Sequence, residues 1–133
     1  MKLLLDTCAM IWMMENNPRL SITARQAIED MDNEVSISMV SLHEIAIKTA
    51  LGKLSLRGIA ISDIPGVFEK QGVTMVEITA VDCERYTTLP VLDHHRDPFD
   101  RLLACQALNR KLTLVSADSK LKEYRDEGLE TLW

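Results

Sequence analysis

The sequence predicts a three-layer α/β/α sandwich, a parallel sheet covered by helices on both faces. Three observations carry that reading. Runs such as Leu3-Leu4-Leu5 and Leu112-Thr113-Leu114-Val115 are short and apolar without alternation, as in strands buried on both sides. Helical segments of roughly ten residues separate these runs, the pattern of successive βαβ units. Acidic residues recur where an apolar run gives way to a helix or loop: Asp6, Glu44, Asp100 and Asp118, with Asp97 close to the third.

Taken in order, Lys2 to Leu5 reads as a first strand, and Thr7 to Met14 as a helix stopped by Asn16-Asn17-Pro18. Ser21 and Thr23 offer helix-start chemistry for a second helix running through Asp30. Val35 to Ser38 is a second strand. Ser41-Leu42-His43-Glu44 has the spacing of a capping box and is expected to open the next helix, which Leu51-Gly52 ends. Residues 53 to 62 read as a loop, and Asp63 to Gln71 as a helix with Gly72 as its stop. Val73 to Ile78 is a third strand, followed by the capping-box pattern Thr79-Ala80-Val81-Asp82. Asp97-Pro98-Phe99-Asp100 starts a strong helix, with proline suited to the first helical position. Leu112 to Val115 is a fourth strand and Leu129 to Leu132 a candidate edge strand. Right-handed crossovers then favour a doubly wound order.

Residues 1 to 133 form one expected domain, without internal repeats or linkers. The N-terminal apolar stretch is interrupted by Asp6 and lacks a cleavage site, and no run approaches the ~18 apolar residues of a membrane helix. The three cysteines, Cys8, Cys83 and Cys105, have no metal-type spacing and lie in apolar contexts, so all three are expected to be buried. A cytosolic protein is expected. The formal net charge of −5 weighs against a nucleic-acid partner. That penalty is reduced if several acids surround a cation, because those charges are then neutralised.

Each acid has a structural explanation. Asp6 and Asp118 suit N-caps, Glu44 suits the capping box, and Asp97 is a natural cap for the helix beginning at Pro98. One acid suffices for a cap, so Asp100 is the informative member of its pair and the better candidate to face the sheet edge. In an open parallel sheet the carboxyl ends of the strands share one edge, where ligands bind. Acids converging there repel one another unless a cation is present. Oxygen-only ligands suit a hard ion, Mg²⁺ or Mn²⁺. His43, His94 and His95 show no zinc spacing, and there is no glycine-rich phosphate loop or nucleophile elbow. Met10, Met13 and Met14, with Trp12, read as core or dimer surface.

Four segments together resemble the PIN-domain family, and within it the VapC-type toxins of bacterial toxin–antitoxin pairs. They are Leu4-Leu5-Asp6-Thr7-Cys8-Ala9, Val40-Ser41-Leu42-His43-Glu44-Ile45, the stretch His95-Arg96-Asp97-Pro98-Phe99-Asp100-Arg101-Leu102-Leu103-Ala104, and Leu112-Thr113-Leu114-Val115-Ser116-Ala117-Asp118. The resemblance spans the chain and implies a metal-dependent endoribonuclease with Asp6, Glu44, Asp100 and Asp118 as the acidic metal-site residues. Asp97 would be an adjacent acid, and Thr7 and Ser116 small hydroxyl residues near the metal. Asp6 and Asp118 would be direct ligands, with Glu44 and Asp100 acting through water or orienting the nucleophile. Arg101, Arg96 and Lys48 are candidate phosphate contacts. The resemblance further implies an RNA substrate, a homodimer, and a cognate antitoxin whose C-terminal segment covers the acidic pocket.

A catalytically silent PIN module that binds RNA or a protein is the alternative, against which the intact acid set argues. A receiver or dehalogenase-type phosphoryl domain also places an aspartate after its first strand. The latter wants a second aspartate two residues on, where Cys8 stands, and the former an N-terminal acid pair and a late lysine that are not clear here.

Overall fold

The computed structural model describes residues 1–92 and 97–133. Residues 93–96 lie outside the described residues, so the readings placed on His94, His95 and Arg96 are not addressed by it. Five parallel strands form the sheet: β1 (Lys2–Leu5), β2 (Glu34–Ser38), β3 (Thr74–Val76), β4 (Thr113–Val115) and β5 (Glu130–Leu132), in the order β3-β2-β1-β4-β5. β1 lies in the middle, with Leu4 opposite Ser36 on one side and Leu114 on the other.

Among the described residues, six α-helices connect and flank the strands: α1 (Thr7–Met14), α2 (Ile22–Glu29), α3 (Met39–Ala50), α4 (Ile64–Glu69), α5 (Ala80–Thr88) and α6 (Pro98–Arg110). Two 3₁₀ segments, Ile61–Asp63 and Ser119–Glu127, complete the described elements. Because side chains alternate across a strand, the three leucines of β1 serve two cores. Leu3 and Leu5 pack with Met10, Ala24, Ile28, Ile45 and Phe68, so α1 to α4 cover that face. Leu4 packs with Leu103, Ala107, Leu121 and Tyr124, so α6 and the longer 3₁₀ segment cover the other. The sequence-predicted three-layer sandwich is the observed one, and the edge strand at the C-terminal end is real.

Local chemistry explains most boundaries. Ser21 caps α2 through the Ala24 amide at 3.0 Å. Thr79 and Asp82 form the reciprocal capping box anticipated for α5. Gly72, at φ +79°, turns the chain after α4 into a region that costs glycine little. Two expectations fail. α3 starts at Met39, two residues before Ser41, because Ser38 caps it by accepting from the Val40 amide at 3.0 Å. The Ser41–Glu44 capping box therefore does not exist: Ser41 is buried and accepts from the Thr7 hydroxyl at 3.1 Å, while Glu44 lies beyond the first turn. The cysteine expectation also needs correction, since Cys8 and Cys83 are exposed and only Cys105 is buried. Apolar sequence neighbours do not decide burial on a helix, where adjacent residues point in different directions.

A buried polar cluster fastens α5 to α6. Asp82 receives both nitrogens of the Arg110 fork at 2.7 and 3.0 Å, the Asn109 amide at 3.0 Å and the Thr79 backbone amide at 3.0 Å. Burial alone would raise its carboxyl, but Arg110, Asn109 and Thr79 outweigh that and hold it well below the usual carboxylate range. A depressed folded-state pKa contributes stability that is present above the unfolded value near ~3.9 and fades as pH falls below it. Asp82→Asn should thus cost about 2–3 kcal/mol at pH 7, a little less than breaking a fully buried pair because Arg110 is partly exposed. Urea denaturation should show the gap to the unsubstituted protein closing as the pH is lowered through 4 and below.

Candidate active site

The strand order reverses between β1 and β4: successive strands run outward from β1 through β2 to β3, then return to its other side. At that switch point the carboxyl ends leave a hollow uncovered by crossovers. A cleft of about 380 Å³ lies here, lined by Asp6, Thr7, Cys8, Trp12, Glu44, Lys48, Asp97, Asp100, Ala117 and Asp118. A more apolar hollow of about 190 Å³ lies between α1 and the loop after α3, lined by residues such as Ile11, Met14, Leu54 and Ile59 and without a cluster of acids.

The chain delivers the acids from four segments. Asp6 follows β1, where its amide donates to the Val115 carbonyl at 3.0 Å, and its Oδ1 accepts from the Ala9 amide at 2.7 Å, capping α1. Glu44 comes from α3 and pairs through Oε2 with Lys48 Nζ, one turn later, at 3.2 Å. Asp97 caps α6 by accepting from the amides of Phe99 and Asp100 at 2.9 and 3.2 Å, and Asp100 occupies the first turn of that helix. Asp118 follows β4 and accepts from the Lys120 amide at 2.9 Å. Capping and cleft-lining therefore coincide in Asp6, Asp97 and Asp118. Both members of the Asp97–Asp100 pair reach the cleft, not Asp100 alone.

Electrostatics mark the cleft as a site awaiting positive charge. Asp6 is 6% exposed, and burial pushes its carboxyl up against the lowering effect of the Ser116 hydroxyl and the Ala9 amide; Glu44 and Asp118 add repulsion. Asp100 is pushed up to about 7 by burial first, then by Asp97, Asp6, Glu44 and Asp118. Glu44 Oε1 is buried and has no hydrogen-bond partner. An orphaned carboxylate oxygen among like charges fits a hard divalent cation, and the donor set consists of oxygen atoms that suit Mg²⁺ or Mn²⁺. Among the described residues, however, no three Asp, Glu, His or Cys side chains are already drawn into a coordination group. The acids line the cleft without closing on one point.

Ser116 sits behind these acids, its Oγ accepting from the Asp118 amide at 3.1 Å, and Thr7 donates to Ser41, joining α1 to α3. Neither hydroxyl is spare.

The PIN-domain family profile matches residues 3–127. The chain belongs to the PIN-domain family. It is 30% identical over 130 residues to Ribonuclease VapC22 of Mycobacterium tuberculosis, covering 98% of this chain and 97% of that protein. Its fold matches that of the VapBC2 complex of Rickettsia felis bound to a promoter DNA fragment, with TM-score 0.71 and 18% identity over 99% of this chain and 98% of that one. The VapBC-1 structure from nontypeable Haemophilus influenzae matches with TM-score 0.69 and 23% identity, covering 99% and 97% of the two chains.

Within this PIN domain one expected phosphate contact is corrected. Arg101 is 4% exposed and turned away from the cleft, donating to the carbonyls of Pro90 and Leu89 and to the Tyr124 hydroxyl at 2.8, 3.1 and 2.9 Å. Its guanidinium also lies 4.8 Å from the Tyr86 ring centre. Arg101 follows Asp100 directly, so a 100° helical step sends it to the α5-facing side, where it fastens the chain end of α5. Lys48, by contrast, does line the cleft. Cys8 and Trp12 line it too, though the sequence reading assigned them to the interior or to a dimer surface. Their i, i+4 spacing on the helix that Asp6 caps was the available signal.

The raised Asp100 carboxyl makes a testable statement about this PIN domain. A group whose folded-state pKa lies above its unfolded value destabilises the fold once pH exceeds the unfolded value, and fully so above about 7. Asp100→Asn should therefore melt higher than the unsubstituted protein at pH 8 in EDTA. The difference should shrink as the pH is lowered towards 4 in a thermal-denaturation series.

Proposed function

We propose that this protein is a divalent-metal-dependent endoribonuclease that acts as the toxin of a toxin–antitoxin pair. The observation that carries the reading is the convergence of Asp6, Glu44, Asp97, Asp100 and Asp118 on one cleft at the switch point of the sheet. The relative from M. tuberculosis is named a ribonuclease and aligns along nearly the whole chain, which supports hydrolysis of RNA phosphodiester bonds. The fold neighbours are VapBC complexes, which supports an antitoxin partner that covers the cleft. A homodimer and a cytoplasmic location accord with this assignment, and among the described residues no helix is long and apolar enough to cross a membrane.

Asp6 and Asp118, which follow the directly paired strands β1 and β4, would hold the ion, with Glu44 and Asp100 completing its surroundings through their oxygens or through water. An Mg²⁺ or Mn²⁺ ion held by these carboxylates would supply Lewis acidity towards the phosphate and the attacking water. The chain itself contributes orientation. The Ala9 amide and the Ser116 hydroxyl hold the Asp6 carboxylate in place, and Ser116 also accepts from the Asp118 backbone amide. Asp100 stands in the first turn of α6 and lines the cleft beside Asp6, Glu44 and Asp118, a position that suits a group orienting the attacking water. Asp97, exposed and committed to the cap of α6, contributes negative potential at the rim.

Asp6→Asn and Asp118→Asn keep the capping geometry, because Asn caps as well as Asp. Both should fold normally and lose Mg²⁺-dependent RNA cleavage by more than about a hundredfold, above the cost usual for an outer-shell partner. Glu44→Gln should behave likewise, and expression of any of the three should no longer arrest growth. Well-folded variants that still cut RNA at the unsubstituted rate would reduce these acids to helix caps and end the nuclease reading.

A second measurement requires no substrate. Millimolar Mn²⁺ should raise the melting temperature of the protein, by linkage of ion binding to folding and by relief of the carboxylate repulsion. The gain should be smaller in Asp6→Asn. An unchanged melting temperature together with a flat calorimetric titration would exclude the metal site.

A further inference from the structure

Lys48 is the single basic side chain among the described residues lining a cleft that holds five carboxylates. It stands in the last turn of α3, where a cation is favoured by the helix dipole, and its ammonium is 3.2 Å from Glu44 Oε2. The other oxygen of the same carboxylate, Oε1, is buried with no hydrogen-bond partner. Glu44 is thus half satisfied: one oxygen is held by an internal cation and the other has none. Burial presses the Lys48 ammonium down, yet Glu44 above all, with Cys8 and Asp97, raises it beyond its ordinary value, so the side chain stays charged across the neutral range.

Resting on the nuclease reading above, we propose that Lys48 is a positioning and substrate-binding residue that serves as a built-in counter-ion. It holds Glu44 in the metal-free protein, gives way when a divalent cation takes up the Glu44 oxygens, and then presents its ammonium to an RNA phosphate. The physical logic is competition. One carboxylate cannot fully satisfy both an ammonium and a divalent ion, and the divalent ion has the larger charge. A lysine stem has four rotatable carbons, so the ammonium can swing while α3 remains still. Once released, it is the described cleft cation best placed to meet a phosphate arriving over the acids. It also offsets the repulsion that a net acidic cleft presents to a polyanion. Arg101, another basic residue considered for this task, is occupied elsewhere in the core.

The proposal predicts opposite effects on the two ligands, which a merely structural lysine would not produce. In calorimetric titration with MnCl₂ alone, Lys48→Met should bind Mn²⁺ about fivefold more tightly than the unsubstituted protein, because a competing like charge is gone. In fluorescence anisotropy with a short single-stranded oligouridine in Ca²⁺, the same variant should bind RNA about fivefold more weakly, and the slope of log affinity against log salt should fall by about 0.7, the value for one contact on a single strand. Lys48→Arg keeps the charge and should stay within about twofold of the unsubstituted protein in RNA binding. A Lys48→Met protein that binds Mn²⁺ no more tightly, or loses metal and RNA affinity together, overturns the proposal while leaving the nuclease reading intact. Absence of Mn²⁺ binding by the unsubstituted protein removes the metal site itself, and the role of Lys48 with it.

Discussion

Repulsion among carboxylates held out of water is the constraint around which this molecule is organised. Five acids line one cleft, and burial raises the cost of ionising those that sit deepest. Local structure absorbs part of that cost. Asp6 and Asp97 accept backbone amides at the starts of α1 and α6, where helix dipoles favour negative charge, and Asp118 accepts an amide at the start of the C-terminal 3₁₀ segment. Lys48 neutralises Glu44 across one turn of α3. The orphaned Glu44 oxygen, among carboxyls that burial and mutual repulsion push up, is the electrostatic demand that a divalent ion would meet. A site of this kind would be less stable alone than with a bound cation, the usual exchange of stability for function.

The same devices that start the helices also aim the cleft acids. A strand that ends in the core must hand its chain to a helix above the sheet, and the acid that caps the helix ends up at the sheet edge. Placing β1 between β2 and β4 then brings Asp6 beside the segment that carries Asp118. The far side of the molecule holds this arrangement in place. Ser38 caps α3 and contacts Gln106 at 2.5 Å, Gln106 donates to the Glu77 carbonyl, and Arg110 and Asn109 on the same helix clasp Asp82. The helix that carries Glu44 and Lys48 is thereby tied to α6, which carries Asp97 and Asp100.

Much of the fold was legible because parallel strands advertise themselves. β1 and β4 are short uninterrupted apolar runs, and the helices between the strands carry turn and cap residues at their ends. The capping box of α5 and the Pro98 start of α6 were read correctly because both rest on contacts within four residues. The start of α3 was misread because Ser38 and Ser41 compete as caps over the same short stretch. Ser38 prevails as the last residue of β2, where its backbone is already extended, and Ser41 is drawn inward to meet Thr7. Cys8 and Arg101 were misplaced for one reason: in a helix, direction changes by 100° per residue, and sequence adjacency to a core or an active residue says little about where a side chain points.

The sequence by itself determined the fold class, the identity of the acids at the strand ends, and the family to which the chain belongs. These follow from local patterns, namely periodicity, caps and short motifs, that survive without knowledge of distant contacts. Tertiary structure alone decided which side chains share the cleft. It sent Arg101 into the core against Tyr124, brought Cys8 and Trp12 to the rim, left one oxygen of Glu44 without a partner, and set Lys48 on the other. Such outcomes depend on which residues distant in the chain compete for the same space and the same hydrogen bonds, and that competition is resolved only when the sheet closes.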